Sequence, residues 1–344
     1  MNKKYIPYLL ILILFVWVAA LTFSKNENAA GVTTVVEENR VSGFSTDLTR
    51  IAEEHENETV IVSASRNLLS GFIYQQDGDT IYIVTCYHGV ADASMISVTL
   101  GNTYELRAEL LGYDPYTDIA VLKTETPYLV DTVKIGDSLL LNKGEFVLSI
   151  GTPQSSDYAM SCELGMISLD SLFLDNSITY NEESRDYYLN VVQYSSSISE
   201  GYSGSPLYNM NGEVVGVTCM EDGDSKFAVT ANELKLVADK IIQNGHSQRI
   251  DLGIKGVFVK DMANYEKSAS GITLDTTSGF YITDIRTGSL SERAGLHVHD
   301  IVATINDATI SDLDDYLYVI YSESESLAFT LDDSSVFTIG VNND

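Results

Sequence analysis

The residues best suited to covalent chemistry lie in Gly201-Tyr202-Ser203-Gly204-Ser205-Pro206-Leu207. A serine hydroxyl is a weak nucleophile until a base removes its proton, and the oxyanion it creates needs hydrogen-bond donors. Gly201 has no side chain, so its N–H can turn toward the point faced by the N–H of Ser203, while Gly204 lets the chain pass close behind the nucleophile. The nucleophile elbow of α/β-hydrolases needs glycine two residues after the serine, where this chain has Ser205, so that fold is disfavoured. Of the five histidines only His88 has a frame suited to a base, Ile81-Tyr82-Ile83-Val84-Thr85-Cys86-Tyr87-His88-Gly89-Val90. An apolar strand delivers it at a strand end, and a glycine follows. The base needs an orienting carboxylate, and Asp118 immediately precedes the apolar run Ile119-Ala120-Val121-Leu122. Partly desolvated there, it requires a donor such as an imidazole N–H.

These side chains need a scaffold of strands. From Thr59 onward short β-branched and aromatic runs recur between turns: Val60–Val62, Gly71–Tyr74, Ile81–Val84, Ile96–Leu100, Ile119–Leu122 and Phe146–Ile150. Gln75 to Asp79 reads as a hairpin turn, with Asp77-Gly78 able to take positive φ. Asn232 to Gln243 has helical apolar spacing and Gly245 stops it. A second block from Arg249 carries strands at 280–285 and 301–305, a helix at 313–321 and a closing strand pair within 327–339. The class is mostly β, with domains at 44–247 and 248–344.

Composition and the N-terminus set the setting. Forty-nine acids against 20 Lys and Arg give a net charge of −29. Such a chain is repelled by phosphate backbones, so nucleic acid is excluded as a partner. Tyr5 to Ser24 carries no charge and is long enough to span a bilayer, with Lys3 and Lys4 holding residues 1–4 in the cytoplasm. An uncleaved anchor at 5–24 is expected over a cleaved signal peptide, and a polar linker follows at 25–43. Either route exports the remainder of the chain. Cys86, Cys162 and Cys219 match no zinc spacing, and their odd number leaves one thiol without a partner in the monomer. Spacing does not say which pair could bridge. Cys86 and Cys219 fall near the expected site and read first as small buried hydrophobes, second as a redox control. His297 and His299 read as solvated, and no metal or other cofactor is expected.

The chain order His88, Asp118, Ser203 is the chymotrypsin-type one. Together with Ser70-Gly71-Phe72-Ile73, Val84 to Val90, Asp114 to Lys123, Ile135-Gly136-Asp137-Ser138, Ile150-Gly151-Thr152-Pro153, Gly201 to Leu207 and Phe227-Ala228-Val229, it resembles the HtrA/Deg family of trypsin-like serine proteases. The second block resembles that family's PDZ domain through Asp251-Leu252-Gly253-Ile254, Ser289 to Leu296 and Asp300-Ile301-Val302. The likeness runs from about Thr59 to the C-terminus. It implies a chymotrypsin-like double β-barrel followed by a PDZ domain, behind an N-terminal transmembrane helix. It also implies His88 as general base, Asp118 as its orienter, Ser203 as nucleophile, the N–H groups of Gly201 and Ser203 as oxyanion hole, and Leu252, Gly253 and Ile254 as the peptide-carboxylate loop. A homotrimer is implied, with Phe44 as a candidate contact. The implied activity is ATP-independent cleavage of misfolded or exposed segments of exported proteins, guided by C-terminal or apolar peptides at the PDZ domain. The alternative is a latent or inactive peptide-binding chaperone. The departures are Glu200, Tyr202, Ser205, Tyr87 and His299: Tyr202 is expected at the specificity-pocket entrance, Tyr87 crowding the base, and His299 straining a turn where the family has glycine.

Overall fold

The computed structural model describes residues 44–341 except 102, 153–156, 158, 181–182, 198–200 and 223–224. The expected cytoplasmic N-terminus, anchor and linker (1–43) lie outside the described residues, as does Glu200. Among the described residues no helix is long and apolar enough to cross a membrane.

The first described element is a helix that the sequence reading did not resolve, α1 (Phe44–His55), which buries Ile51 completely. Six strands follow: β1 (Thr59–Ala64), β2 (Asn67–Asp77), β3 (Thr80–Cys86), β4 (Ile96–Leu100), β5 (Tyr104–Asp114) and β6 (Ile119–Glu125). They close into an antiparallel barrel in the order β1-β2-β3-β6-β5-β4. By register Val60, Val62, Ile73, Ile83, Val98 and Leu122 share one face of its wall, all fully buried. Gly78 makes the β2–β3 turn at φ +60°. A one-turn helix, α2 (Tyr87–Val90), continues directly from β3.

The second barrel comprises β7 (Phe146–Gly151), β8 (Ser161–Tyr180), β9 (Glu183–Ser195), β10 (Pro206–Tyr208), β11 (Val214–Asp222) and β12 (Ser225–Thr230), in the order β10-β11-β12-β9-β8-β7. Its core includes Val147, Ile167, Val192, Tyr194, Leu207 and Val215. The sequence reading named no individual strand between Ile150 and Ser195, where the structure has the long β8–β9 hairpin. Bulges between Ile167 and Leu172 disrupt the period of two that marks a strand. Helix α3 (Ala231–Asn244) then crosses beside the first barrel, with Thr230 accepting the Glu233 N–H at its start and Gly245 at φ +79° ending it.

The remainder is a third sheet: β13 (Ile254–Phe258), β14 (Phe280–Ile285), β15 (Ile301–Ile305), β16 (Ala308–Thr309), β17 (Ser326–Leu331) and β18 (Val336–Gly340). Its helices are α4 (Asn264–Ala269), α5 (Leu290–Ala294) and α6 (Leu313–Ile320). Phe173 from β8 reaches into this region and packs edge-on against Phe280 and Tyr316, at 5.7 Å between centroids in each case. A polar joint accompanies that apolar one. Half-buried Arg249, on the segment between α3 and β13, lies over the Tyr116 ring at 5.3 Å and donates to the Tyr188 carbonyl. Tyr321, just after α6, reaches Glu233 of α3 at 2.9 Å and Asp114 of β5 at 3.1 Å.

Candidate active site

Register brings the histidine and the aspartate together. β3 pairs antiparallel with β6, and its last residue Cys86 faces Ile119, so the next residues outward, Tyr87 and Asp118, meet at the barrel mouth. The Tyr87 N–H donates to the Asp118 carbonyl at 2.7 Å. Asp118 takes φ +59°, a left-handed conformation that β-branched residues avoid but Asp tolerates. Its carboxylate is thereby turned back onto α2. Oδ1 accepts the backbone N–H of His88 at 2.7 Å, and Oδ2 lies 2.5 Å from Nδ1. With Nδ1 held by the carboxylate, Nε2 is the nitrogen free to take a proton from another group. The hydrogen bond to Asp118 raises the His88 pKa above its ordinary 6.5, against the opposing pull of partial burial.

The serine comes from the other barrel. Ser203 sits in the turn leading into β10, between Gly201 at φ +98° and Gly204 at φ +86°. Gly204 is required twice over: a Cβ there would stand 2.2 Å from the Ser70 carbonyl oxygen and 3.0 Å from the Thr85 Cα. This turn is tied to both barrels. The Gly204 N–H donates to the Thr218 carbonyl of β11 at 2.7 Å, and the Ser70 N–H of β2 donates to the Ser203 carbonyl at 3.0 Å. Among the described residues neither the Gly201 nor the Ser203 N–H is spent on another acceptor. The Ser203 hydroxyl likewise makes no hydrogen bond to the imidazole among the described residues.

Ser70 is the positioning residue that sequence reasoning missed. Fully buried, it donates from Oγ to the Gly201 carbonyl at 2.7 Å and accepts the Thr152 N–H at 2.9 Å, while its carbonyl accepts the Thr85 hydroxyl at 2.7 Å. One short side chain therefore clamps the glycine loop to the strand pair that delivers His88. A serine before Gly-Phe-Ile in a strand carries no local mark of that role; the small size demanded by a barrel seam is its only trace.

Two departures behave differently from expectation. Tyr202 is not at a pocket entrance: its ring is 2% exposed inside the second barrel, lying over Gly151, with its hydroxyl donating to the Ser161 carbonyl at 3.2 Å. The positive φ of Gly201 turns the Tyr202 ring inward, where a large ring fills core volume. Tyr87 stacks flat on Tyr113, centroids 3.7 Å apart, so its bulk is absorbed by a neighbouring ring. Ser205 is fully buried with its hydroxyl 2.8 Å from that of Ser149. His299 does take the strained conformation expected of it, φ +81°, held by the Tyr281 hydroxyl at 2.7 Å from Nδ1.

Cys86 Sγ lies within 4.8 Å of ligand atoms of His88 and Asp118. An ion could use that trio only if Cys86 left the Thr218 carbonyl and Cys219, and Asp118 left the imidazole. At the third sheet, Leu252 and Ile254 are buried and Gly253 takes φ +68°, where a Cβ would meet the Ser289 Cβ at 2.2 Å. Asp251 receives the Gly253 N–H at 3.1 Å and pairs with Arg286, whose Nη1 has no partner among the described residues. A cavity of about 510 Å³ opens between the second barrel and this sheet, bordered by Leu141, Phe173, Val257, Phe258, Lys260 and Leu313.

Residues 69–217 match the trypsin-like peptidase domain. The Do-like serine protease HtrA of Lactococcus lactis subsp. lactis (strain IL1403) is 29% identical over 266 residues, covering 74% of this chain and 64% of that protein. The Do-like serine protease HtrA of Bacillus subtilis (strain 168) is 28% identical over 263 residues, with 74% and 58% covered. A probable periplasmic DegP-like serine endoprotease of Pseudomonas putida (strain W619) is 33% identical over 252 residues, covering 72% of this chain and 48% of its own length. The chain thus spans 48% to 64% of the length of these curated relatives. Among solved structures, the HtrA-type protease AlgW with tripeptide superposes with a TM-score of 0.59 at 24% identity, covering 85% of this chain and 96% of that one. Likeness in sequence through both barrels, on the same chymotrypsin-like fold, makes this chain a member of the HtrA family.

Proposed function

We propose that the chain is an ATP-independent serine endopeptidase acting outside the cytoplasm on misfolded or exposed segments of exported proteins. The observation that carries this reading is the His88–Asp118 pair, 2.5 Å between Nδ1 and Oδ2, at the mouth of one barrel, with the glycine-flanked Ser203 turn of the other seated against Ser70 and Thr85 of the strands that deliver the histidine. Asp118 fixes the imidazole with Nε2 outward. His88 then takes the Ser203 proton as Oγ attacks the scissile carbonyl, and returns it to the leaving amine; water repeats the cycle on the acyl-enzyme. The N–H groups of Gly201 and Ser203, uncommitted among the described residues, are the donors for the oxyanion.

In the same reading, residues 248–344 are a PDZ domain that captures C-terminal or apolar peptides by strand addition along β13, with the carboxylate at Leu252, Gly253 and Ile254. The left-handed Gly253 and Arg286 Nη1 beside it, unpartnered among the described residues, support that assignment. Residues 5–24 anchor the chain in the membrane, and the assembly is a homotrimer.

One observation favours a second reading, a latent form: the Ser203 hydroxyl and the imidazole are not hydrogen-bonded. A fluorophosphonate probe with adduct mapping separates the two. Labelling of Ser203 that disappears in His88→Ala supports the protease. Labelling only in the presence of an apolar C-terminal peptide supports latency relieved at the third sheet. Peptide-bond cleavage retained by Ser203→Ala would overturn the nucleophile assignment.

A further inference from the structure

The two barrels touch through sulfur. Cys86 ends β3 of the first barrel and Cys219 lies in β11 of the second, 133 positions apart, yet their Sγ atoms stand 2.9 Å from each other. A disulfide bond measures about 2.05 Å, so these sulfurs are about 0.9 Å from bonded separation and on strands already held in place by other contacts. The Cys86 thiol also faces the Thr218 carbonyl at 3.3 Å, and the Gly204 N–H to Thr218 and Ser70 N–H to Ser203 bonds join the same strands, so the alignment of the two strand ends does not rest on the sulfurs alone. Cys86 is fully buried and Cys219 is 8% exposed. Cys162, the third cysteine, is exposed on β8, with the Met160 carbonyl at 3.9 Å as its contact.

We propose that Cys86 and Cys219 are the site of an oxidative modification, a disulfide that staples the first barrel to the second beneath the His88–Asp118 pair, leaving Cys162 as the free thiol. The oxidant is a thiol–disulfide exchange partner met before the barrels close over the sulfurs. The thiolate of one cysteine attacks the oxidant's disulfide and expels one thiol; the second cysteine then displaces the remaining half. One S–S bond forms in the protein and one breaks in the oxidant. The cysteines give up two electrons and two protons, and the oxidant leaves as two thiols. After folding, burial shields the bond, because a reductant thiolate must reach one of its sulfurs.

The position gives the staple a consequence. Cys86 is two residues before His88, and Thr218, beside Cys219, holds the Gly204 N–H next to Ser203. The bond therefore joins the strand that delivers the histidine to the strand that seats the serine turn. Closing so long a loop restricts the unfolded chain strongly. None of this depends on the chain being a protease, and the test reads sulfur.

The purified chain is folded in a glutathione redox buffer, its free thiols are alkylated in denaturant without reductant, and the digest is mapped by mass spectrometry. The expected result is one linked peptide pair joining Cys86 to Cys219, with alkylation confined to Cys162. Dithiothreitol should open the bond only once urea is present. The reduced chain, or Cys86→Ala/Cys219→Ala, should melt roughly 5 °C or more below the oxidised chain, while Cys162→Ser melts with it. Three alkylated thiols, or a bridge that includes Cys162, would overturn the proposal. If the double variant does not fold, mapping of the unaltered chain still decides.

Discussion

The joint between α3 and the third sheet carries more acid than its cation can balance. Glu233 and Asp114 are buried at 0% and 1% exposure, both within hydrogen-bond reach of the Tyr321 hydroxyl, and Arg249 supplies one positive charge. A phenol donates one proton, so one of its two carboxyl contacts needs a proton of the acid's own. Burial pushes Glu233 up to about 7 against the opposing pull of Arg249 and the Tyr321 hydrogen bond, and burial raises Asp114 as well. The sign follows directly. Glu233 binds its proton more tightly when folded than at its ordinary 4.5, so its contribution to stability is complete below about pH 4.5 and lost as pH rises through about 7. Integrated from pH 5 to pH 8, that shift is worth about 2.5 kcal/mol. Glu233→Gln keeps the shape and an acceptor for Tyr321 but cannot titrate. Urea unfolding at the two pH values, followed by far-UV circular dichroism, should show the unaltered chain losing about 2.5 kcal/mol more than the variant across this interval. Parallel losses in the two proteins would refute the claim that Glu233 is protonated in the fold.

Gly204→Ala should abolish Ser203 labelling and destabilise the chain by several kcal/mol, about 3 or more, since its Cβ would collide with the Ser70 carbonyl from a left-handed backbone; near-normal labelling in a folded variant would contradict the described turn. Ser70→Ala strands the Gly201 carbonyl and the Thr152 N–H, at a cost of about 1–3 kcal/mol, and should lower kcat for a peptide substrate more than it raises KM; equal kcat would remove Ser70 from the positioning role. The general base must be neutral, so kcat/KM should fall as pH drops through an apparent pKa above 6.5, the direction in which Asp118 shifts His88. Asp118→Asn should lower the rate by roughly 10⁴-fold and move that inflection downward; an unmoved inflection would show that another group titrates. Tyr321→Phe removes the only hydroxyl that reaches both Asp114 and Glu233 among the described residues, and should loosen the third sheet, read as faster hydrogen exchange in α6; unchanged exchange would make the joint dispensable.

Much of the scaffold was legible because its signals are local. β-branched runs between turn residues marked six strands of the barrels, and 280–285 and 301–305 were read to the residue as β14 and β15. Helix α3 differs from its expected span by one residue at each end. His88 and Asp118 were identifiable because each borders an apolar strand, and the β3–β6 register turns that shared feature into a hydrogen bond. The β8–β9 hairpin escaped because bulges and Asp, Asn and Ser residues interrupt its alternation, and one of its side chains, Phe173, packs on Phe280 of the third sheet.

By itself the sequence determined residue types, strand positions and the glycines whose backbone conformations no other residue takes without strain. Those properties are set within a few residues along the chain. Tertiary structure alone decided that Ser70 clamps the serine turn, that Tyr202 turns into the second barrel, that Arg249 is surrounded by acids and tyrosines, and that Cys86 faces Cys219 rather than Cys162. Each of these joins positions far apart in sequence, and such pairings exist only once barrel closure has fixed which strand ends meet.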